Sequence, residues 1–236
     1  MKLPSVSHPT FNLTLPSTGQ TVTYRPFLVK EEKILLIAQS SEDQADIVRA
    51  IKQVITNCII EPRISVEDFT TFDLEYFFIK LRSKSVQNVV KLQYRDNEDK
   101  QVYDVEVDLE AIEVIKPEEV NTKIEITPES GIVLKYPTMK IMNDVENITN
   151  PVDFNFAIMQ ACIDCYYEGD RVYKINEFSK EEIEEFIEGF DIPTYQKMQD
   201  FIDSMPRIEH TVSYTNSNGK VVEINLRTLN DFFSLG

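Results

Sequence analysis

The chain has 236 residues, enough for one large or two modest domains with a real hydrophobic core. Apolar residues make up 42% and charged residues 27%, ordinary globular usage that argues against wholesale disorder. The 40 acidic against 24 basic side chains give a formal charge of −16, which argues against a phosphate-binding surface for nucleic acid and favours solubility and a basic or neutral protein partner.

No apolar run approaches the ~20 residues that a membrane-spanning helix needs. The opening MKLPSVSHPTFNLTLPSTG carries one lysine and no continuous apolar segment, so a cleaved secretory signal is not expected. Three cysteines, odd in number and sparse, give no disulfide framework and fit a reducing cytosol.

In chain order, residues 1–19 read as an extended arm, because Pro4, Pro9, Pro16 and Gly19 forbid a continuous helix. Phe11, Leu13 and Leu15 alternate within it, as in a strand lying on a surface. Gln20 to Arg25 reads as a short strand stopped by Pro26. A first helix follows with Ile34, Leu35, Ile37 and Ala38 on its apolar side. Ser41 is expected to cap a second, with Gln44 as its capping-box partner. Along it Ile47, Ala50, Ile51, Val54, Ile55 and Cys58 recur at spacings of three and four, until Pro62 closes the segment. A third helix is predicted over Thr71 to Lys84, with Leu74, Phe77, Phe78 and Leu81 inward and Glu75, Lys80, Arg82 and Lys84 toward solvent.

The period then changes. Alternation in VVKLQYRD and QVYDVEVDLE around NEDK predicts a hairpin, and KIEITPESGIVLKYP a second one turning through Pro128 to Gly131, so residues 86–142 read as mainly β. Asn150-Pro151 opens a helix expected to run to about Tyr167 and end near Gly169. Ser179 with Glu182 caps the acidic helix KEEIEEFIEGF, and Ile192 to Met205 supplies another. A final hairpin turns at Asn218-Gly219, and the short aromatic tail LNDFF follows. Helices, then strands, then helices, without regular βαβ alternation, predict an α+β fold. The expected divisions are an arm at 1–19, a strand plus helices at 20–85, a β-rich region at 86–149, and a helical region with a C-terminal hairpin at 150–236. The last is open to forming one composite domain with 20–85.

Chemistry-bearing groups are few. Cys162 and Cys165 form a C-x-x-C, with Cys58 distant in sequence and His8 and His210 the only histidines to complete a tetrahedral zinc set. Placed inside a predicted helix, the two thiols share one face and read as core packing rather than ligands. Two isolated histidines suggest no nucleophile-base arrangement. Glu181, Glu182, Glu184, Glu185 and Glu188 flank an apolar stripe of Ile183, Phe186, Ile187 and Phe190, which reads as a solvated helix face rather than buried catalytic acids. Six scattered glycines make no phosphate loop. No catalytic, cofactor-binding or metal residue is assigned, no cofactor is expected, and the chain is not expected to be an enzyme. Phe232 and Phe233 either dock on the protein's own core or anchor a partner, and the N-terminal arm is open to adding to another chain's sheet.

Three blocks carry a resemblance. RPFLVKEEKILL (Arg25 to Leu36), IKQVITNCI (Ile51 to Ile59) and FTTFDLEYFFIKLRSKSV (Phe69 to Val86) resemble, in this order, the T-even-type bacteriophage baseplate protein family. Weaker likeness runs through the acidic helix, MPRIEHTVSYTN (Met205 to Asn216) and LRTLNDFF (Leu226 to Phe233). The resemblance implies a non-enzymatic tail protein that promotes or joins assembly of the baseplate hub by binding hub or tape-measure proteins, with homo-oligomerisation left open. It implies action in the host cytoplasm during assembly or residence in the virion baseplate; the acidic balance and the lack of a long apolar run add the expectation of no nucleic acid and no membrane. A structural hub subunit retained in the virion is the alternative. A metal- or carboxylate-dependent cell-wall hydrolase is a further one, needing a buried acid pair or metal cluster that the sequence does not display.

Overall fold

The computed structural model describes residues 6–41, 43–117 and 120–233. The fold is α+β, and the chain divides into two compact units, Met1–Ile115 with Arg207–Gly236, and Lys116–Pro206. Residues 86–115 fall in the first unit and 116–149 in the second, and the chain returns to the first from Arg207 onward.

The first unit opens with β1 (Phe11–Thr14) and β2 (Thr21–Tyr24), antiparallel in the register Phe11↔Tyr24 to Thr14↔Thr21. The arm is therefore one half of a hairpin rather than a free extension. Its turn is closed by Gly19 at φ +71, a left-handed conformation that only glycine adopts without strain. Helix α1 (Val29–Ser40) and α2 (Gln44–Cys58) follow, and α2 leads directly into β3 (Ile59–Glu61), which pairs with β2 as the third strand. The cap of α2 is Asp43, whose carboxylate accepts from Ala45 N–H at 2.9 Å. Ser41 is not that cap: it is the C-cap residue of α1, three positions before α2 begins, and its hydroxyl donates to Ala38 C=O at 2.7 Å and accepts from Asp43 N–H at 3.3 Å. Of the predicted stripe of α2, Ala50, Ile51, Val54, Ile55 and Cys58 are buried, and Ile47 is half-buried.

Helix α3 (Thr71–Ser85) begins with Thr70 and Asp73 capping each other. Leu74, Phe77, Phe78 and Leu81 are buried as the spacing predicts, but so are Phe72, Tyr76 and Ile79, so the helix is enclosed nearly all round. Its polar residues are consequently not solvent-facing: Glu75, Lys80, Arg82 and Lys84 are all half-buried. Lys80 donates to Glu110 C=O at 2.6 Å and pairs with Glu113 at 3.5 Å, and Lys84 reaches the Glu110 carboxylate at 2.7 Å. Strands β4 (Val89–Arg95) and β5 (Val102–Asp108) form the predicted hairpin. The chain leaves this unit through β6 (Val114–Ile115).

In the second unit β7 (Lys123–Thr127) and β8 (Ser130–Leu134) form the second hairpin, followed by α4 (Met139–Val145) and α5 (Pro151–Cys162), the latter capped by Asn150 with proline in its first turn. Helix α5 stops at Cys162, five residues short of expectation. The next segment, IDCYYE, is β-branched and aromatic, and it enters the sheet as β9 (Ile163–Glu168) between β8 and β10 (Arg171–Lys174). Gly169 at φ +57 makes the β9–β10 turn. The sheet order is β10-β9-β8-β7. Helices α6 (Lys180–Glu188) and α7 (Ile192–Asp203) bring Ile187, Met198 and Phe201 onto Ile124, Ile132, Leu134, Met159 and Ile163, the centre of this unit's core.

The chain returns to the first unit at β11 (Arg207–Ile208), which pairs with β6. Strands β12 (His210–Thr215) and β13 (Val221–Leu226) form the closing hairpin, with Gly219 at positive φ in its turn. Tyr214 stacks on Tyr103 of β5 at 4.5 Å and donates to the buried Asp96 carboxylate at 2.7 Å, fixing one hairpin to the other. The tail forms α8 (Leu229–Phe233).

Candidate functional site

Two fully buried carboxylates in the first unit invite a catalytic reading, and their partners show what they do instead. Glu31 accepts from both Arg25 guanidinium nitrogens, at 3.0 and 3.4 Å, and from Leu28 N–H at 2.9 Å. Arg25 in turn donates to the carbonyls of Pro26 and Asn57, so the pair ties the start of α1 to the end of α2. Burial opposes ionisation of Glu31, yet these donors outweigh it and hold the carboxyl below its usual range. Asp73 accepts from Ser17 N–H at 3.0 Å, from the Ser17 hydroxyl, and from Thr70 N–H and Oγ1–H at 3.2 and 2.8 Å. It fastens the β1–β2 turn to the start of α3. Both carboxylates are thus consumed in holding elements together.

The three cysteines are divided between the two units. Cys58 belongs to the first unit, Cys162 and Cys165 to the second, and the C-x-x-C spans the end of α5 and the start of β9 rather than one helical face. Cys162 packs among Val145 and Ile158, while Cys165 is half-buried on the strand. Burial pushes the Cys58 thiol up to about 11 and the Cys162 thiol up to about 12, which keeps both protonated and weakly reactive. Among the described residues no group of three His, Cys, Asp or Glu side chains is placed to hold a metal ion. No described helix is long and apolar enough to cross a membrane.

What the molecule does present is apolar surface. Val29, Leu36 and Ile37 lie seven and eight residues apart on one face of α1 and are 87%, 55% and 60% exposed. The sequence places Ile37 inward with Ile34, Leu35 and Ala38; of these only Ala38 is buried. The warning sign is the unbroken run Ile34-Leu35-Leu36-Ile37, more apolar side chains than one stripe of a helix can bury. Beside this face lies a groove of about 480 Å³ bounded by α1, α2, α3, β4 and α8. Ala38, Ala50, Ile51, Phe78 and Leu92 are the buried members of its apolar lining, and Leu36 belongs to both groove and exposed face. Glu32 and Arg82 also line it, and the Glu32 Oε2 atom is buried with no hydrogen-bond partner. Asn230 of α8 is at the same groove, while Phe232 is fully buried in the protein itself, so the tail's first phenylalanine serves the fold. The Phe233 side chain is outside the described residues.

The sequence profile of the family described as T4 bacteriophage base plate protein matches residues 8–234. The chain belongs to this family. The match runs through both units of the baseplate protein, including the Arg25–Glu31 and Asp73 anchorages. No curated protein and no solved structure matches the baseplate protein.

Proposed function

We propose that this baseplate protein works by binding: it engages hub or tape-measure proteins of the phage tail and promotes assembly of the baseplate hub, without catalysing a reaction. The observation that carries this reading is the α1 face of Val29, Leu36 and Ile37 beside the groove, apolar area that the protein's own core does not use. A hub protein with an apolar interface of its own gains by covering that face, and the acidic protein keeps the complex soluble in the host cytoplasm. The test is co-expression of the full chain with each hub and tape-measure protein, followed by affinity capture; at least one should be retained in stoichiometric amount. Quantifying the chain in purified virions then separates an assembly factor, which is absent from them, from a retained hub subunit, present at a fixed copy number. Capture of no tail protein overturns the reading.

A further inference from the structure

A second surface lies wholly within the unit Lys116–Pro206. A cleft of about 360 Å³ is floored by Tyr166 of β9 and Tyr173 of β10 and walled by Ile175, Phe178, Ile183 and Phe186. The rings interlock: Tyr166 lies 5.8 Å from Tyr173 and meets Phe186 edge-on at 5.0 Å. Phe178 stays 40% exposed, and Glu168 and Glu182 also line the cleft, Glu182 accepting from Ser179 N–H at 2.8 Å through Oε2 and keeping Oε1 for a further partner. The unit around it holds most of the chain's charge: 19 acidic against 8 basic side chains, a formal −11 of the total −16. Aromatic faces carry negative quadrupole potential, and two carboxylates at the same opening add to it. The cleft also opens beside β10, the end strand of its sheet, where an added extended segment would direct alternate side chains toward the aromatic floor.

From this combination we infer that the cleft is a docking site for an extended basic segment of a partner protein, anchored by one arginine or lysine side chain between the aromatic rings and the Glu168 and Glu182 carboxylates. The inference rests on the protein-binding reading above and assigns it a second contact with its own chemistry. The cation lies over Tyr and Phe faces and its charge is met by the two carboxylates, while flanking residues of the segment run along β10.

The test uses the full chain and two synthetic peptides: acetyl-Thr-Val-Arg-Val-Lys-Thr-amide, and the same peptide with citrulline for arginine and acetyl-lysine for lysine. Titration is followed by the ring resonances of Tyr166, Tyr173, Phe178 and Phe186. The cationic peptide should shift these rings saturably and the neutral one should bind about tenfold more weakly or worse, with added salt weakening the first alone. Glu168→Gln combined with Glu182→Gln should give the same loss; glutamine keeps the Ser179 capping box of α6, so the melting curve should hold. Equal binding of both peptides, unchanged binding by the double variant, or rings that do not move at millimolar peptide each overturn the assignment. A silent cleft in a protein that still captures tail proteins removes this site alone. A cleft that takes the cationic peptide in a protein that captures none removes the assembly reading and leaves the site.

Discussion

At the residue scale, two carboxylates of the first unit have pKa values shifted in opposite directions. Glu31 is fully buried and its folded pKa is depressed, so its contribution to stability is complete above the unfolded-state value and lost as pH falls through the folded one. Arg25→Ala removes the main partner and leaves the buried carboxylate only the exposed Lys30 ammonium at 3.4 Å and the Leu28 N–H, so it should cost about 3 kcal/mol in urea denaturation near neutral pH. A loss below about 1 kcal/mol, the level of an exposed pair, would contradict the structural role given to this contact. Glu75, half-buried on α3, behaves in reverse. Burial, then the charge of Asp231, pushes its carboxyl from 4.5 up to about 7. The folded state therefore holds this proton more tightly than the unfolded chain. Stability from this group is complete below about 4.5, falls as pH rises toward about 7, and is level beyond. At about 1.4 kcal/mol per unit the full span is roughly 3 kcal/mol. Glu75→Gln should flatten that part of the pH profile and stabilise the protein under mildly alkaline conditions, as read from urea midpoints across the interval. Parallel profiles for the two proteins would show that Glu75 ionises without cost.

Among the elements, α3 and α1 make opposite uses of apolar residues. Phe77 is fully buried on α3 with Tyr24 and Phe69 rings at 5.1 and 6.0 Å, so Phe77→Ala should cost about 3–5 kcal/mol. Leu36→Ser and Ile37→Ser on the outer face of α1 should each change stability by less than about 0.5 kcal/mol. Thermal melts of the three variants check both statements, and a large loss at Leu36 or Ile37 would mean that the face is part of the fold. Periodicity is what made α2, α3, α6 and the hairpins legible: Ala50 to Cys58 and Ile183 to Phe190 each have one stripe and one partner surface. It misled where local pattern and tertiary pairing disagree. Ile163 to Glu168 continues a helical-looking run, yet strands β8 and β10 lie ready on either side and its β-branched and aromatic side chains suit a sheet. The solvated face expected for α3 failed for the same reason, because Lys80 and Lys84 find partners on Glu110 and Glu113, residues about thirty positions away that no local window contains. The exposed α1 face had only the run Ile34 to Ile37 as its signal, because exposure is decided by what the rest of the chain leaves uncovered. The aromatic cleft was likewise invisible, since it gathers residues from β9, β10 and α6, and β9 and β10 were themselves unforeseen.

For the whole molecule, charge and chemistry are unevenly shared. The unit Lys116–Pro206 carries the acidic excess, while the other, with 21 acidic and 16 basic side chains, is close to balanced and carries the exposed apolar face. With no group of three His, Cys, Asp or Glu side chains placed to hold a metal among the described residues, and the buried Cys58 and Cys162 thiols held protonated, purified protein should contain no stoichiometric zinc; elemental analysis giving about one metal per chain would revive the three-cysteine site. The central claim, that this baseplate protein acts by offering α1 and its groove to a tail protein, is tested most directly by titrating the captured partner against wild type and the Leu36→Asp/Ile37→Asp double variant, with melting curves alongside. The account predicts unchanged melting and binding weakened about a hundredfold or more, the loss expected when two charges enter an apolar contact. Wild-type affinity in a normally folded double variant would contradict it.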